Sequence, residues 1–168
     1  MSALNARYSQ LQSRSLAFCN AFLRLQDNPP GKILFGHFTT TTDPKITEHG
    51  PSWASSRLPF LGKTFSSRDE CLEYFKLLAE TLKFIPNKGT FPSKEWFIVV
   101  DKANGRHNPA VPEKLQLKGQ VSVVRKATFK AVKTGKSWEE EFVCCLSEFG
   151  EDRKIGHWEI WAERLGRC

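Results

Sequence analysis

The last third of this chain constrains the fold more than any other part, because three strand-like runs follow one another with short turns between them. The first two runs, residues 115–132 and 137–149, flank a glycine-containing turn at 133–136, and the third run spans 155–161. Side chains alternate between the two faces of a sheet, and a short turn sets the pairing register. The three runs therefore predict adjacent antiparallel strands.

The expected register gives this sheet two different faces. It sets Arg125 opposite Cys144 and Lys126 opposite Val143 in the first hairpin, and Ile160 opposite Cys144 in the second. One face is then apolar and aromatic, while the other pairs lysines with glutamates, as solvated sheet surfaces do. The apolar face forms either a plain hydrophobic core or a substrate pocket, whose wall would comprise Phe22, Phe129, Trp138, Glu140, Phe142, Cys144, Trp158 and Ile160.

Two amphipathic patterns precede the strands. Apolar side chains recur every three or four residues over 8–25 and again over 71–82, which is typical of helices that bury one face. Ser67 and Glu70 have the spacing of a capping box, so they predict where the second helix begins. We expect that helix to end before Pro86.

Three further segments complete the expected order of elements. Residues 33–38 predict a short helix or turn, 43–51 contain a short strand, and 95–101 have the pattern of a buried strand. Helices gathered ahead of antiparallel strands indicate an α+β fold, in which N-terminal helices cover one face of a curved antiparallel sheet. Such a cone leaves an interior pocket, where small molecules usually bind.

Length and composition fit one soluble domain over residues 1–168. A chain of 168 residues with 40% hydrophobic and 26% charged residues can bury a substantial core. No apolar run approaches the roughly 20 residues that cross a bilayer, and the N-terminus lacks an apolar signal core. Five cysteines without metal-like spacing indicate reduced thiols. These features predict a cytoplasmic protein without membrane contact.

The formal net charge of +7 raises the question of nucleic-acid binding. The excess of basic over acidic residues is concentrated between Lys102 and Lys136. Within this segment, however, Lys126 and Lys130 have acidic partners across the predicted hairpin. No aromatic platform is interleaved with the basic residues, as single-strand binding requires. The pattern therefore favours a solvated basic surface over a nucleic-acid site.

Several local segments resemble one family. The order of elements resembles the nuclear transport factor 2-like (NTF2-like) superfamily, and the local sequence is similar to the fungal branch of the SnoaL-like polyketide cyclases. The resemblance covers a core of about residues 10–162 and is carried by residues 45–51, 57–65, 74–75 and 156–162.

The resemblance implies a cone-shaped fold, homodimers formed through the open sheet face, and a small-molecule pocket. Relatives with assigned activities include ketosteroid isomerase, scytalone dehydratase, polyketide cyclases and isomerases of fungal meroterpenoid pathways, which work largely by acid–base chemistry without a cofactor. The aspartate-and-tyrosine pattern of the steroid isomerases and the histidine pair of the dehydratase have no counterpart by motif, so no catalytic residue is transferred from either.

Glu48 is the sharpest catalytic candidate. It shares a strand face with Ile46, so it points into the cone if Ile46 does, and apolar surroundings would raise its pKa into the range of a general acid or base. The alternative is a strand-end carboxylate bonded to backbone donors or to Arg57. His49 faces the other way and is either catalytic or a helix-contacting or solvent-exposed imidazole.

Arg125 and Asp101 are the remaining catalytic candidates. Arg125 interrupts the apolar face, and a buried guanidinium demands a partner, for which Glu140 is placed diagonally on the next strand. The two would either hold an anionic or enolate-bearing ligand or plug one end of the cone. Asp101 ends the predicted strand at 95–101 and lies either at the pocket mouth or in a turn.

The sheet face opposite the apolar one carries His157, Trp161 and Val143, an aromatic patch that favours a homodimer interface. No metal triad, phosphate-binding glycine loop or dinucleotide fingerprint is present in the sequence, which favours chemistry without metal or cofactor. Two functions fit these patterns. One is a cofactor-independent isomerase, cyclase or dehydratase of fungal secondary metabolism acting on an apolar oxygenated small molecule, and the other is a non-catalytic dimeric binding or accessory module.

Overall fold

A computed structural model describes residues 3–25, 27–87, 89–90, 92–100 and 119–162. Within these ranges the helices are α1 (Ala3–Leu23), α2 (Pro30–His37) and α3 (Arg68–Thr81). The strands are β1 (Lys45–His49), β2 (Lys63–Phe65), β3 (Leu82–Ile85), β4 (Ile98–Val100), β5 (Gln120–Ala131), β6 (Ser137–Ser147) and β7 (His157–Ala162).

The seven strands of the described part form one curved sheet in the order β2-β1-β7-β6-β5-β3. β3 and β4 pair with the same edge of β5: β3 with residues 128–131 and β4 with residues 120–122. The α+β class with helices over a curved sheet is confirmed. The sheet is mixed rather than wholly antiparallel, however, because β1 runs parallel to β7. These two strands are distant in sequence, so no turn between them specifies their relative direction.

The hairpin of β5 and β6 has the predicted faces but not the predicted partners. Arg125 lies opposite Phe142 instead of Cys144, a shift of two residues. The turn centres one residue earlier than expected, and Gly135, with a φ of +71°, closes it by donating its N–H to the Ala131 carbonyl. A shift of two leaves every side chain on its expected face, since the side-chain period of a strand is two.

The β6–β7 register agrees with the prediction, including Ile160 opposite Cys144. Between these strands the chain passes close to itself, and an ideal Cβ on Gly156 would lie 2.0 Å from the carbonyl oxygen of Glu148. Glycine is therefore required where the chain enters β7.

Helix α3 begins and ends as its sequence predicts, and an unpredicted strand follows it. The Ser67 hydroxyl accepts a hydrogen bond from the backbone N–H of Glu70, whose carboxylate in turn accepts from the Ser66 N–H. The helix stops at Thr81, and the next four residues form β3 against β5. The expectation that this helix ends before Pro86 is confirmed. The strand β3 that follows was not predicted, because Leu82–Ile85 pairs with a strand that is distant in sequence.

The predicted buried strand at 95–101 is also corrected. Its described part is a short 3-10 turn followed by β4, where Ile98 is 64% exposed. An apolar run can form an exposed edge strand, and periodicity does not distinguish that case from a buried one.

One hydrophobic core lies between the three helices and the sheet face that we call the interior face; the opposite side is the outer face. Phe18 of α1, Leu34 of α2 and Phe75 of α3 pack in the same cluster as Trp158 and Leu146 of the sheet. No helix in the described ranges has the length and apolar character to span a membrane. The helices thus cover the interior face on which the candidate site is built.

Candidate functional site

A cavity of about 140 Å³ lies between the interior face and the C-terminal ends of α1 and α3. Most of its lining is aliphatic or aromatic, and Glu48 is the only carboxylate among the lining residues. The cavity is lined by Phe22, Leu25, Pro30, Glu48, Phe60, Tyr74, Phe75, Leu78, Ala79, Leu82, Phe84, Phe129, Phe142, Trp158, Ile160 and Ala162.

Glu48 reaches the cavity because β1 alternates. Ile46 and Glu48 are both buried on the interior face, with Glu48 only 4% exposed, while Lys45, Thr47 and His49 are less buried. Glu48 lies opposite Ile160 of β7, so the parallel pairing carries the carboxyl group onto the aromatic part of the sheet.

Tyr74 holds one oxygen of this carboxyl group. Its hydroxyl donates a 2.7 Å hydrogen bond to Glu48 Oε1, and the ring packs edge-on against Phe65 and Trp158. The other oxygen, Oε2, is buried and has no hydrogen-bond partner in the structure. A buried oxygen without a partner is costly, so it marks the point where a bound molecule would gain most.

Burial raises the pKa of Glu48 to about 8, and the hydrogen bond from Tyr74 opposes that rise. Burial likewise raises the pKa of Tyr74 well above its usual value, with Glu48 adding to the effect. Near neutral pH the carboxyl group is therefore mostly protonated, and its ionised form is also populated. A group with this pKa can both give and accept a proton under physiological conditions.

Five of the predicted substrate-binding residues line the cavity: Phe22, Phe129, Phe142, Trp158 and Ile160. The other three lie on the interior side beyond the lining. Trp138 stacks against Phe129 and donates to Glu140 Oε2. Cys144 is fully buried, and burial raises the pKa of its thiol, although Arg125 and the Trp158 indole oppose the rise.

The predicted catalytic residues are dispersed rather than assembled around Glu48. Arg125 is buried on the interior face but outside the cavity lining, where its guanidinium donates to the Cys19 sulfur and lies over the Phe97 ring at 6.0 Å. Burial raises the pKa of the Cys19 thiol to about 12, although Arg125 opposes this. Asp101 lies outside the described residues.

His49 lies on the outer face, as its strand position predicts. Its ring stacks on Trp161 with centroids 3.4 Å apart, and its Nε2 lies 2.9 Å from Glu159 Oε1. His157 lies on the same side, hydrogen-bonded to Thr47 at 2.8 Å, and burial lowers its pKa.

The surface that was predicted as a dimer interface is a shallow open groove on the outer face. Its lining comprises His49, Gly50, Val124, Glu141, Phe142, Val143, Trp161 and Ala162. His157 belongs to the neighbouring hydrogen-bonded cluster rather than to this groove. The groove and the interior cavity thus lie on opposite sides of the sheet, and Phe142 and Ala162 line both.

Tyr74 is the residue of the candidate site to which sequence reasoning assigned no role. Its place in the apolar stripe of α3 predicted a core position only. A tyrosine in a buried stripe needs a partner for its hydroxyl, and Glu48 on a buried strand face needs a donor. The two signals together could have suggested the pair, but nothing in the sequence states that α3 crosses β1.

No group of three or more histidine, cysteine or acidic side chains in the described ranges is arranged to hold a metal ion.

The comparisons with known proteins bear on the fold. No family model matches the chain, and no curated protein matches it in sequence. Among solved structures, an NTF2-like protein of unknown function from Burkholderia pseudomallei aligns with a TM-score of 0.59 and 17% identity over 95% of this chain and 98% of its own.

Two further structures carry provisional functional assignments. A provisionally assigned isomerase from Bacillus subtilis aligns with a TM-score of 0.58 and 9% identity over 91% of this chain and 88% of its own. A provisionally assigned polyketide cyclase from Pseudomonas putida aligns with a TM-score of 0.54 and 6% identity over 89% and 91%. At these low identities the structural similarity establishes the fold alone. This chain has the NTF2-like fold, as its resemblance to that superfamily predicts.

Proposed function

We propose that this protein is a cofactor-independent acid–base enzyme, an isomerase, cyclase or dehydratase acting on an apolar oxygenated small molecule in the interior cavity. The observation that carries the proposal is the buried Glu48 carboxyl group: Glu48 lines an apolar cavity, and one of its carboxyl oxygens has no hydrogen-bond partner. The provisional names of the isomerase and cyclase neighbours are consistent with this class of reaction. The resemblance to the fungal branch suggests secondary metabolism as its setting.

In this proposal Glu48 transfers the proton. As the neutral acid it donates from Oε2 to a substrate oxygen; as the carboxylate it removes a proton from a carbon next to a carbonyl group and returns it elsewhere. Tyr74 is a positioning residue, because its hydrogen bond to Oε1 leaves Oε2 as the reacting oxygen. Surrounding aromatic side chains exclude water, which keeps both charge states close in energy.

Of the other candidates, Arg125 and Asp101 have no assigned step, and His49 has none at this site because the sheet lies between its ring and the cavity. We propose instead that His49 and Trp161, with Val143, belong to a homodimer interface on the outer face. An exposed aromatic groove on a sheet is a common feature of such interfaces.

The second candidate function is a non-catalytic small-molecule-binding module. The mostly aliphatic and aromatic lining favours it, since small-molecule pockets are lined mainly by such side chains. A binding module would hold a ligand in the cavity but would not move a proton.

Solvent-deuterium exchange separates the two candidates. The purified protein is incubated in D₂O with small enolisable ketones, and deuterium uptake is followed by NMR against buffer alone. We expect exchange catalysed by the wild-type protein to fall by about 10²–10⁴-fold in Glu48→Gln, the usual contribution of a general acid or base. Glu159→Gln removes a carboxylate from the outer face and serves as the matched control, with unchanged exchange. Equal exchange in Glu48→Gln would exclude Glu48, and binding without exchange in the wild type would favour the binding module.

A further inference from the structure

The cavity is matched to one six-membered ring. Its volume is about 140 Å³, close to the ~150 Å³ of an engineered Leu/Ile/Phe-lined cavity that binds benzene in another protein. Close-packed protein interiors deform little, so a second fused ring would fit only if the lining side chains moved.

Aromatic side chains set this size at one end of the cavity. Phe84 of β3 lies between Phe22 and Phe129, with ring centroids 5.4 Å and 5.6 Å away. Trp158 meets Phe22 edge-on at 5.3 Å on the adjoining wall. Such walls favour a flat ring, which can stack or meet ring edges at similar distances. Phe84, which is only half-buried, is the side chain whose removal would lengthen the cavity most simply.

The lining also determines which ligand charge the cavity can accept. None of the described lining residues is lysine, arginine or histidine. An anionic ligand would therefore lose its hydration without gaining a counter-charge, and it would lie beside a carboxyl group. The cavity favours a neutral molecule.

The carboxyl group selects for a hydrogen-bond acceptor. Glu48 Oε1 already accepts from the Tyr74 hydroxyl, and ionising the carboxyl group would leave a charged, unpartnered Oε2 in apolar surroundings. The neutral acid instead places its proton on Oε2, which becomes a single O–H donor. A carbonyl oxygen is the acceptor that would also acidify a neighbouring C–H bond.

We infer that the substrate class is a neutral, single-ring ketone or enone whose carbonyl oxygen accepts a hydrogen bond from Glu48 Oε2. This inference rests on the proposed function in using the same site and in choosing a carbonyl group over other acceptors. Binding of the ring, however, requires no proton transfer and can be measured separately.

Binding of three probes tests the inference. The shift of indole N–H signals is followed by NMR during titration with 2-cyclohexen-1-one, with benzoate as an anion of similar size, and with 1-tetralone as a two-ring ketone. We expect cyclohexenone to bind at least about ten-fold more tightly than either of the others, since an unpaired charge or an overpacked ring costs more than 1.4 kcal/mol. Benzoate or tetralone binding as tightly as cyclohexenone would overturn the inference.

Variants locate the bound ring and its carbonyl group. Glu48→Gln keeps a donor and the shape of the side chain, so its affinity for cyclohexenone should stay within about three-fold, whereas Glu48→Leu should lose about ten-fold. Phe84→Ala, with Phe84→Leu as the milder change, should admit tetralone. Unchanged affinities in Glu48→Leu, or continued exclusion of tetralone by a folded Phe84 variant, would refute the assignment.

The two proposals fail differently. Cyclohexenone binding without deuterium exchange would refute the proposed enzyme and leave the substrate-class inference standing as a ligand class. Exchange of other ketones without cyclohexenone binding would refute the inference and leave Glu48 as the proton-transfer group. Each variant is first shown to be folded by a cooperative thermal unfolding transition.

Discussion

Glu48 and His49 are adjacent in the chain and lie in opposite environments. Glu48 is buried on the interior face, where its carboxyl group accepts a hydrogen bond from Tyr74 and its pKa rises to about 8. His49 lies half-buried on the outer face between Trp161 and Glu159. The contrast shows that chemistry in this fold depends on which side of one strand a residue occupies. A conspicuous histidine can be a surface group while its neighbour titrates in a cavity.

The largest expected effect concerns the pH dependence of stability. A carboxyl group with a folded pKa of about 8 and an unfolded pKa of 4.5 holds its proton more tightly when folded. Its contribution is therefore fully present below about pH 4.5 and is lost as pH rises through about 8, by roughly 3–5 kcal/mol. Urea unfolding of the wild type and Glu48→Gln from pH 5 to 9 measures it. The same slope in both proteins would break the contrast between the two faces.

The second test compares a tryptophan on each face. Trp158 is 3% exposed and packs against Phe18, Phe22 and Tyr74, whereas Trp161 is 49% exposed. Trp158→Ala should lower the free energy of unfolding by about 3–5 kcal/mol. Trp161→Ala should cost about 1 kcal/mol or less in the monomer. Both are read by urea denaturation at low protein concentration, and equal losses would show that the outer face is as closely packed as the interior.

A third test sharpens the role of Tyr74. Tyr74→Phe removes the donor that lowers the Glu48 pKa, so that pKa should rise further and the pH dependence of deuterium exchange should move to higher pH. Stability should fall by about 1–2 kcal/mol from the lost buried hydrogen bond. An unmoved pH profile with the same loss of stability would reduce Tyr74 to a packing residue.

The smallest effect is expected on the outer face. His49→Ala removes the imidazole that lies 2.9 Å from Glu159 in a partly exposed pair. The free energy of unfolding should change by less than about 1 kcal/mol, and this change should be smaller at high salt. Deuterium exchange should be unchanged. If exchange falls while the protein stays folded, His49 acts on the cavity through the sheet, and the separation of the two faces is wrong.

The proposed dimer extends this comparison to assembly. Trp161→Ala and Val143→Lys should weaken self-association measured by sedimentation if the outer face is the interface, because both alter the exposed groove. A monomer at all concentrations in the wild type would remove the dimer proposal without affecting the interior cavity.

Much of the fold could be predicted because it depends on local periodicity. The alternation of β1, β6 and β7 placed Glu48, Phe142 and Trp158 on the interior face, and Ser67 marked the start of α3. The predictions that failed depended on partners elsewhere in the chain. The strand Leu82–Ile85 was missed because its partner, β5, is distant in sequence, and the β5–β6 hairpin lies two residues from the expected register.

The candidate site divides in the same way. Five of the eight predicted wall residues line the cavity, four because their faces followed from strand alternation and Phe22 because it belongs to the apolar stripe of α1. Trp138, Glu140 and Cys144 are on the predicted side but beyond the lining, because position along a strand, as well as its face, decides which side chain reaches a cavity. Tyr74 escaped notice because its partner lies on another element.

The sequence by itself determined the α+β class, the two faces of the C-terminal strands and the side of β1 on which Glu48 lies. Alternation and helical spacing are properties of the local backbone, so they can be read from a short segment. Tertiary structure alone decided that β1 lies parallel to β7, that Tyr74 reaches Glu48, and that the cavity is the size of one ring. Burial, and with it the raised pKa of Glu48, depends on side chains brought together from α1, α3 and the sheet, which no local pattern contains.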